Sequence, residues 1–287
     1  MSAEAARAAL AGEGSALVTG LTWVPFDAIR ELLGDSASTP AESLVAVAAA
    51  LRLDFIFVPA DQPWAGEAAE LLHQADVAVM WAVPGVFGRV AFKVGWSQAL
   101  RMSAGDPGAL AGPLAEALHA ALCEVRAGFS AGADAIVVAD DLAGSTGPLL
   151  SPDFILDVLV PCYHHVALLG ADAFVPCIFH SDGDVRAFMP APARGGFAGV
   201  HLAGLTADAL VASHAAARSE GLVVLGGIDA MSLLHGPRHL GAQAARLALA
   251  GGMLVCDDGG ITSAQEIAAL SSALDAARDV YGAPHAS

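Results

Sequence analysis

Lysine is almost missing from this 287-residue chain. Lys93 is the only one, and the 13 basic residues face 30 acidic ones, for a formal net charge of −17. Such a surface repels phosphate backbones and anionic lipid, which argues against nucleic-acid or membrane-surface binding. Cysteine is scarce as well. Cys123, Cys162, Cys177 and Cys256 are widely spaced and form no C-x-x-C pair, so neither a disulfide scaffold nor a zinc ribbon is expected. No G-x-G-x-x-G, Walker A or H-E-x-x-H motif occurs. Residues 1–14 carry Glu4, Arg7 and Glu13 and lack a basic start followed by an apolar run, so no signal peptide is expected. The apolar run 77–83 meets Pro84 and Gly85 long before the ~20 residues that span a bilayer. Together these absences predict a soluble, cytoplasmic protein.

What the chain does have is apolar mass: 55% hydrophobic against 15% charged residues excludes disorder and supports a large core. Short runs of Val, Ile, Leu and Phe recur at 16–19, 54–58, 77–82, 134–139, 173–179, 197–202, 222–225 and 252–255. They are continuous rather than alternating, the pattern of parallel strands buried on both faces. Helical segments separate them. Ser151-Pro152-Asp153 supplies a cap, a first-turn proline and an early acid, and Ser263 with Glu266 makes a capping box. The stretch 96–130 reads as two helices parted by Gly105-Asp106-Pro107-Gly108. No linker or charge block interrupts the series. Eight βα units in 1–287 predict an α/β fold, a single-domain (β/α)8 TIM barrel, with a doubly wound open sheet as the alternative.

In such barrels the active site lies at the carboxyl ends of the strands. Here those ends carry Asp61, Asp140-Asp141, His180-Ser181-Asp182, His201, Asp229 and Cys256-Asp257-Asp258. An aspartate that starts a βα loop is often only a helix cap. Histidine and cysteine are poor caps, so His180 and Cys256 beside Asp182 point to chemistry. His164, His165, His73, His119, His214, His235, His239 and His285 fall in helices, connections or the tail and read as packing or surface residues. Trp23, Trp64, Trp81 and Trp96 fit either a core or a pocket wall.

The stretches GADAIVVADDLAGSTGPLLSP (132–152), GADAFVPCIFHSDGDV (170–185), VVLGGID (223–229) and GGMLVCDDGGI (251–261) resemble the uroporphyrinogen decarboxylase superfamily. Its members are (β/α)8 barrels that include decarboxylases and methyltransferases exchanging methyl groups with a corrinoid. The resemblance covers roughly the C-terminal half. Around 15–32 the arginine-bearing motif by which the decarboxylases grip a polycarboxylate is missing, with Arg30 the one basic residue. The methyltransferase branch is therefore the closer match. Its zinc members carry H-x-C after the fifth strand and a second cysteine after the eighth. This chain departs from both: Asp182 stands in the first cysteine's place, Gly259 at the second, and Cys256 lies three residues earlier.

The resemblance implies methyl transfer between a small substrate and a corrinoid (cobalamin). Zinc on His180, Asp182 and Cys256 would act as a Lewis acid. Asp140, Asp141, His180, Asp182 and Asp229 would be catalytic, and Trp23, Asp61 and His201 would bind substrate. No D-x-H-x-x-G cobalamin motif is visible, so the corrinoid would come free or on a partner protein; a homodimer is a family-level expectation. Without zinc, Asp182 and His180 would act as acid and base or bind a hydroxylated substrate. Two other readings stay open: a lyase acting on a small carboxylate, with Asp140 or Asp182 stabilising a cationic intermediate, and a non-catalytic ligand-binding barrel.

Overall fold

The computed structural model describes residues 2–14, 16–34 and 38–282, so His285 lies outside the described residues. Ten strands follow one another along the chain: β1 (Gly20–Leu21), β2 (Phe55–Pro59), β3 (Ala78–Pro84), β4 (Ala135–Ala139), β5 (Ala143–Gly144), β6 (Gly147–Pro148), β7 (Cys177–Asp182), β8 (Gly199–Ala203), β9 (Val223–Ile228) and β10 (Met253–Asp257). Eight of them form one sheet in the order β1-β2-β3-β4-β7-β8-β9-β10. The pairs β1–β2, β4–β7, β7–β8 and β9–β10 are parallel, and a bridge from Thr19 to Val255 joins the first strand region to the last. This is the expected (β/α)8 barrel of the α/β class.

Several strands are offset from their apolar runs, and two of them, β1 and β7, start four residues later. The first begins at Gly20 rather than 16, because the Thr19 amide is taken by the Asp54 carboxylate (2.8 Å). The fifth barrel strand, β7, begins at Cys177 rather than 173. The preceding helix continues to Asp172, and Phe174 then turns the chain with a left-handed φ of +57° while its ring is 94% exposed. The later start carries β7 through His180 and Asp182, so both belong to the strand end rather than to a loop. The small antiparallel hairpin β5–β6 had no signal in the apolar pattern, since it holds only Ala, Gly and Pro.

The chain divides into two compact units, Met1–Met80 with Val223–Ser287, and Trp81–Leu222. The first has a core of strand residues such as Phe55, Ile56, Leu225 and Val255, with Ile267, Leu270 and Leu274 of the helix Ala264–Tyr281. That helix starts on the expected capping box: the Ser263 hydroxyl accepts from the Glu266 amide, and the Glu266 carboxylate accepts from the Ser263 amide. In the second unit Tyr163, Phe179 and Phe197 form a ring cluster with centroids 5.5–5.7 Å apart. Burying each such side chain stabilises the fold by about 1.5–3 kcal/mol.

One segment, Pro152–Asp172, is long and apolar enough to cross a membrane by length and composition alone. Unlike the continuous run 77–83, its apolar pattern is broken by Pro161, His164 and His165. Here its Phe154, Ile155, Leu159, Tyr163 and Val166 are buried in the second unit. The segment is wound as a π turn over Ile155–Leu159, just before Pro161. Proline has no N–H to donate, and the ladder widens at that point.

Candidate active site at the ends of β4, β7 and β8

Parallel register decides which polar residues meet. Ala139 of β4 lies opposite His180 of β7, and His180 lies opposite His201 of β8. The Asp140 amide donates to the His180 carbonyl at 2.9 Å, so Asp140-Asp141 leaves β4 alongside His180. Ligand atoms of Asp141, His180 and Asp182 then lie within 4.8 Å of one another, the one such group among the described residues. His180 Nε2 is 3.6 Å from Asp141 Oδ1 and 3.7 Å from Asp182 Oδ1. Its other nitrogen, Nδ1, is 2.7 Å from Nδ1 of His201, and the two rings stack with centroids 4.8 Å apart. One Nδ1 must donate and the other accept.

The loops around the group are pinned. Ser181 is buried; its hydroxyl accepts from the Leu142 amide (3.0 Å) and donates to the Asp182 carbonyl (2.9 Å). The Asp182 amide donates to Asp141 Oδ1 at 3.1 Å. Gly183 has φ +84°, and a Cβ there would sit 2.5 Å from the Gly144 carbonyl oxygen. Only glycine allows the β7 loop to cross the β5–β6 hairpin this closely.

Charge in the group follows from burial. His180 is buried, and desolvation drops its pKa to about 4, so the imidazole is neutral at pH 7. Asp182 is pushed up to about 6, first by partial desolvation and then by the charge of Asp141. Two carboxylates thus face one neutral imidazole. That arrangement favours a cation.

Asp140 has a different task. It is fully buried, and its carboxylate accepts from the Phe87 amide (2.9 Å), the Gly88 amide (2.6 Å) and the Tyr163 hydroxyl (2.7 Å). Phe87 and Gly88 begin the helix Val86–Val94, whose N-cap, Gly85, has no side chain to cap it. Asp140 caps that helix from outside, and a Cβ on Gly85 would lie 2.2 Å from its own Cβ. Burial raises Asp140 to about 6 despite these three bonds. It is a positioning residue that fixes where Asp141 leaves the strand.

The remaining expected residues, His201 apart, lie in the first unit. Cys256, expected as a metal ligand, is buried inside β10 opposite Gly227; burial and the charge of Asp257 hold its thiol protonated. It is not a member of the ligand group, where Asp141 stands instead. The reason is the strand's length: β10 continues through Asp257, so Cys256 is in the sheet and not in the loop. Asp229 caps the short 3₁₀ turn Ala230–His235, accepting from the Met231 amide and the Ser232 hydroxyl. Asp61 is exposed and accepts from the Gln62 amide nitrogen at 3.1 Å. Trp23 lines a cavity with Trp64 and Phe57, whereas Asp61 is not among its lining residues. His201, expected against substrate, is instead the partner of His180.

Three contributors escaped the sequence reading. Tyr163 holds Asp140, Thr22 is held by Asp257, and Gln62 lines the cavity with Trp23, and none of the three stands out in the sequence pattern. Only Tyr163 had a usable signal, being one of just two tyrosines in the chain.

Comparison with known proteins gives the family. No curated protein matches the sequence. Among solved structures the chain is similar to a methyltransferase from Methanosarcina mazei, with 18% identity and a TM-score of 0.76 over 97% of this chain and 98% of that one. It is also similar to D-psicose 3-epimerase from Clostridium cellulolyticum H10 (11% identity, TM-score 0.57, 93% and 100% covered) and to chitinase from Chromobacterium violaceum ATCC 12472 (10%, 0.52, 90% and 99%). At these identities the likeness speaks for the barrel, a fold that hosts many chemistries. The family model for uroporphyrinogen decarboxylase (URO-D) matches residues 48–254, well over half of the chain and including Asp140, Asp141, His180, Asp182 and His201. The chain belongs to the uroporphyrinogen decarboxylase (URO-D) family.

Proposed function

We propose that this protein is a cytoplasmic methyltransferase that moves a methyl group between a small substrate and a corrinoid, using a divalent cation, zinc first, held by Asp141, His180 and Asp182. The observation that carries this reading is the ligand group itself: three donor atoms within 4.8 Å, two of them carboxylate oxygens and one a neutral imidazole nitrogen. Zinc accepts both donor types, and three protein ligands leave a position for substrate. The likeness of the whole barrel to a protein described as a methyltransferase agrees with it.

The chain's own residues divide the work. His180 presents Nε2 to the two carboxylates, and His201 at Nδ1 sets its tautomer, the hydrogen-bonded support that metal-binding histidines ordinarily have. With Nδ1–H donated to His201, the Nε2 lone pair faces the site. Asp141 and Asp182 repel each other, which a cation relieves. Bound zinc would lower the pKa of a substrate thiol or hydroxyl, or polarise an ether oxygen so that its methyl group can leave. Without a thiolate ligand the site is harder than one built on H-x-C, which favours oxygen-bearing substrates. The corrinoid would arrive free or on a partner protein, and the enzyme would act as a homodimer.

A decarboxylase acting on a small carboxylate is the second reading. The raised pKa of Asp182 favours it, since a carboxyl near 6 can hand on a proton close to neutral pH. The paired carboxylates argue against a polyanionic substrate.

The test is metal quantification of protein purified without chelator, followed by cobalamin absorbance. Stoichiometric zinc, with conversion of cob(I)alamin to methylcobalamin by a methyl-ether donor, is the expected result. Absence of metal together with decarboxylation of a small carboxylate would replace this reading by the second, and decarboxylation of uroporphyrinogen would overturn both.

A further inference from the structure

The first unit holds a cavity of about 370 Å³ near the ends of β1 and β2 and the loop after β10. We infer that it is a binding site for an uncharged compound built on one aromatic ring with a single polar substituent, of the phenol class. This goes beyond the transfer reading and does not rest on it.

Size gives the first limit. Small-molecule sites run from about 300 to 1,000 Å³, so this one is at the small end and takes a ring rather than a nucleotide or a corrin. Wall chemistry gives the second. Trp23, Phe57 and Trp64 supply aromatic surface, and Leu44 and Ile261 supply aliphatic surface. Trp23 and Phe57 meet edge to face, with centroids 5.2 Å apart and planes at 84°, forming a corner suited to the edge or face of a third ring. No lining residue is charged. A carboxylate would be desolvated there without a partner, and a quaternary ammonium would find rings but no counter-charge. Gln62 is the one amide in the wall. Asp61 can only accept, so it fixes the Gln62 amide nitrogen toward itself and sets which way the group is turned.

A second, independent observation shows that the walls are held in place. The buried carboxylate of Asp257 accepts from the Thr22 amide (2.9 Å), from the Thr22 hydroxyl and from the Gly259 amide (3.1 Å). One acid therefore ties together the segment bearing Trp23 and the segment bearing Ile261. Holding the walls in the bound arrangement cuts the ordering cost of binding.

The experiment is saturation-transfer NMR and calorimetric titration of the full chain, without metal or corrinoid, using p-cresol as probe. Saturable p-cresol binding is expected, with benzoate and tetramethylammonium at least tenfold weaker. Leu44→Trp, which fills the cavity, should weaken p-cresol at least tenfold. Should that variant fail to fold, Gln62→Leu, at the partly exposed wall, should weaken p-cresol about tenfold and leave toluene unchanged. Failure of p-cresol to saturate, equal binding of benzoate or tetramethylammonium, or full affinity in a folded Leu44→Trp protein would overturn the inference. Failure of the transfer reading would show instead in the metal and cobalamin measurements.

Discussion

Two barrel strands end in the same dipeptide and build different things. β4 is followed directly by Asp140-Asp141, and β10 ends in Asp257 followed by Asp258. In each pair the first acid is fully buried and binds backbone amides: Asp140 those of Phe87 and Gly88, Asp257 those of Thr22 and Gly259. The second acids diverge. Asp141 faces His180, while Asp258 accepts from the Ala230 amide at 2.8 Å and serves the loop. The neighbour in the sheet makes the difference. β4 runs beside β7, whose end brings His180 and Asp182; β10 runs beside β9, whose end brings Gly226, Gly227 and Asp229. An Asp-Asp pair is therefore a buried brace plus one less buried acid, and the next strand decides whether that acid meets chemistry.

The strongest way to break this comparison is His180→Ala. It removes the imidazole that the neighbour of β4 supplies and the neighbour of β10 lacks, and metal content should fall from about one per chain to background, with methyl transfer abolished. Metal retained in a folded His180→Ala protein would mean that the carboxylates alone define the site. Next comes Asp140→Ala, which leaves two amides and the Tyr163 hydroxyl without their acceptor and should cost about 3 kcal/mol in denaturant unfolding. Its pH dependence has a definite sign. The folded pKa is about 6 and the ordinary value is 3.8, so the folded chain holds this proton more tightly than the unfolded one. The contribution is fully present below about 3.8 and is lost as pH rises through about 6, worth about 3 kcal/mol. In metal-stripped protein, Asp140→Asn should remove that slope. An unchanged slope would assign it to Asp182, which is raised in the same direction.

How much of this could be read from residues alone differs between the fold and the site. The barrel was legible because eight apolar runs of strand length are a long-range, redundant signal, and a boundary error of a few residues at β1 or β7 leaves the topology intact. The site is less forgiving. His180 and Asp182 stood out because histidine in an acidic loop needs a reason, and the family resemblance marked the same place. Cys256 misleads because the apolar run stops at 255 whereas β10 continues two residues further, to Asp257, and a thiol in the sheet is core. Asp229 and Asp61 looked identical to Asp141 in sequence. What separates them is which side chain stands across the sheet, and that depends on register between strands some 40 residues apart. The aromatic cavity was half visible: Trp23 and Trp64 were recognisable as wall material, but the acid that ties the walls, Asp257, works through Thr22, 235 residues away.

A smaller effect is expected at His201, which tests whether His180 needs its neighbour. His201→Phe keeps a ring against His180 but removes the nitrogen 2.7 Å from its Nδ1. With the tautomer no longer set, zinc affinity measured by chelator competition should fall about 10–100-fold while metal can still be loaded at high concentration. His201→Phe with wild-type zinc affinity would show that the stack, not the hydrogen bond, orients His180.

The smallest effect is expected at Asp229, and it sharpens the contrast between strand ends most directly. Its carboxylate accepts from the Met231 amide at 3.0 Å and from the Ser232 hydroxyl, both within its own turn. That is the geometry of a cap, so Asp229→Ala should cost about 1 kcal/mol, lower the melting temperature by about 2–4 °C, and leave zinc content unchanged. The decisive variant is Asp229→Asn. Asparagine caps about as well as aspartate but carries no charge and takes no proton at neutral pH. If Asp229 only holds the turn, Asp229→Asn should match the wild type in both stability and transfer rate. If it positions substrate or moves a proton, the same variant should keep its melting temperature and lose rate, and the acids after β9 and β10 would then have to be counted with those after β4 and β7.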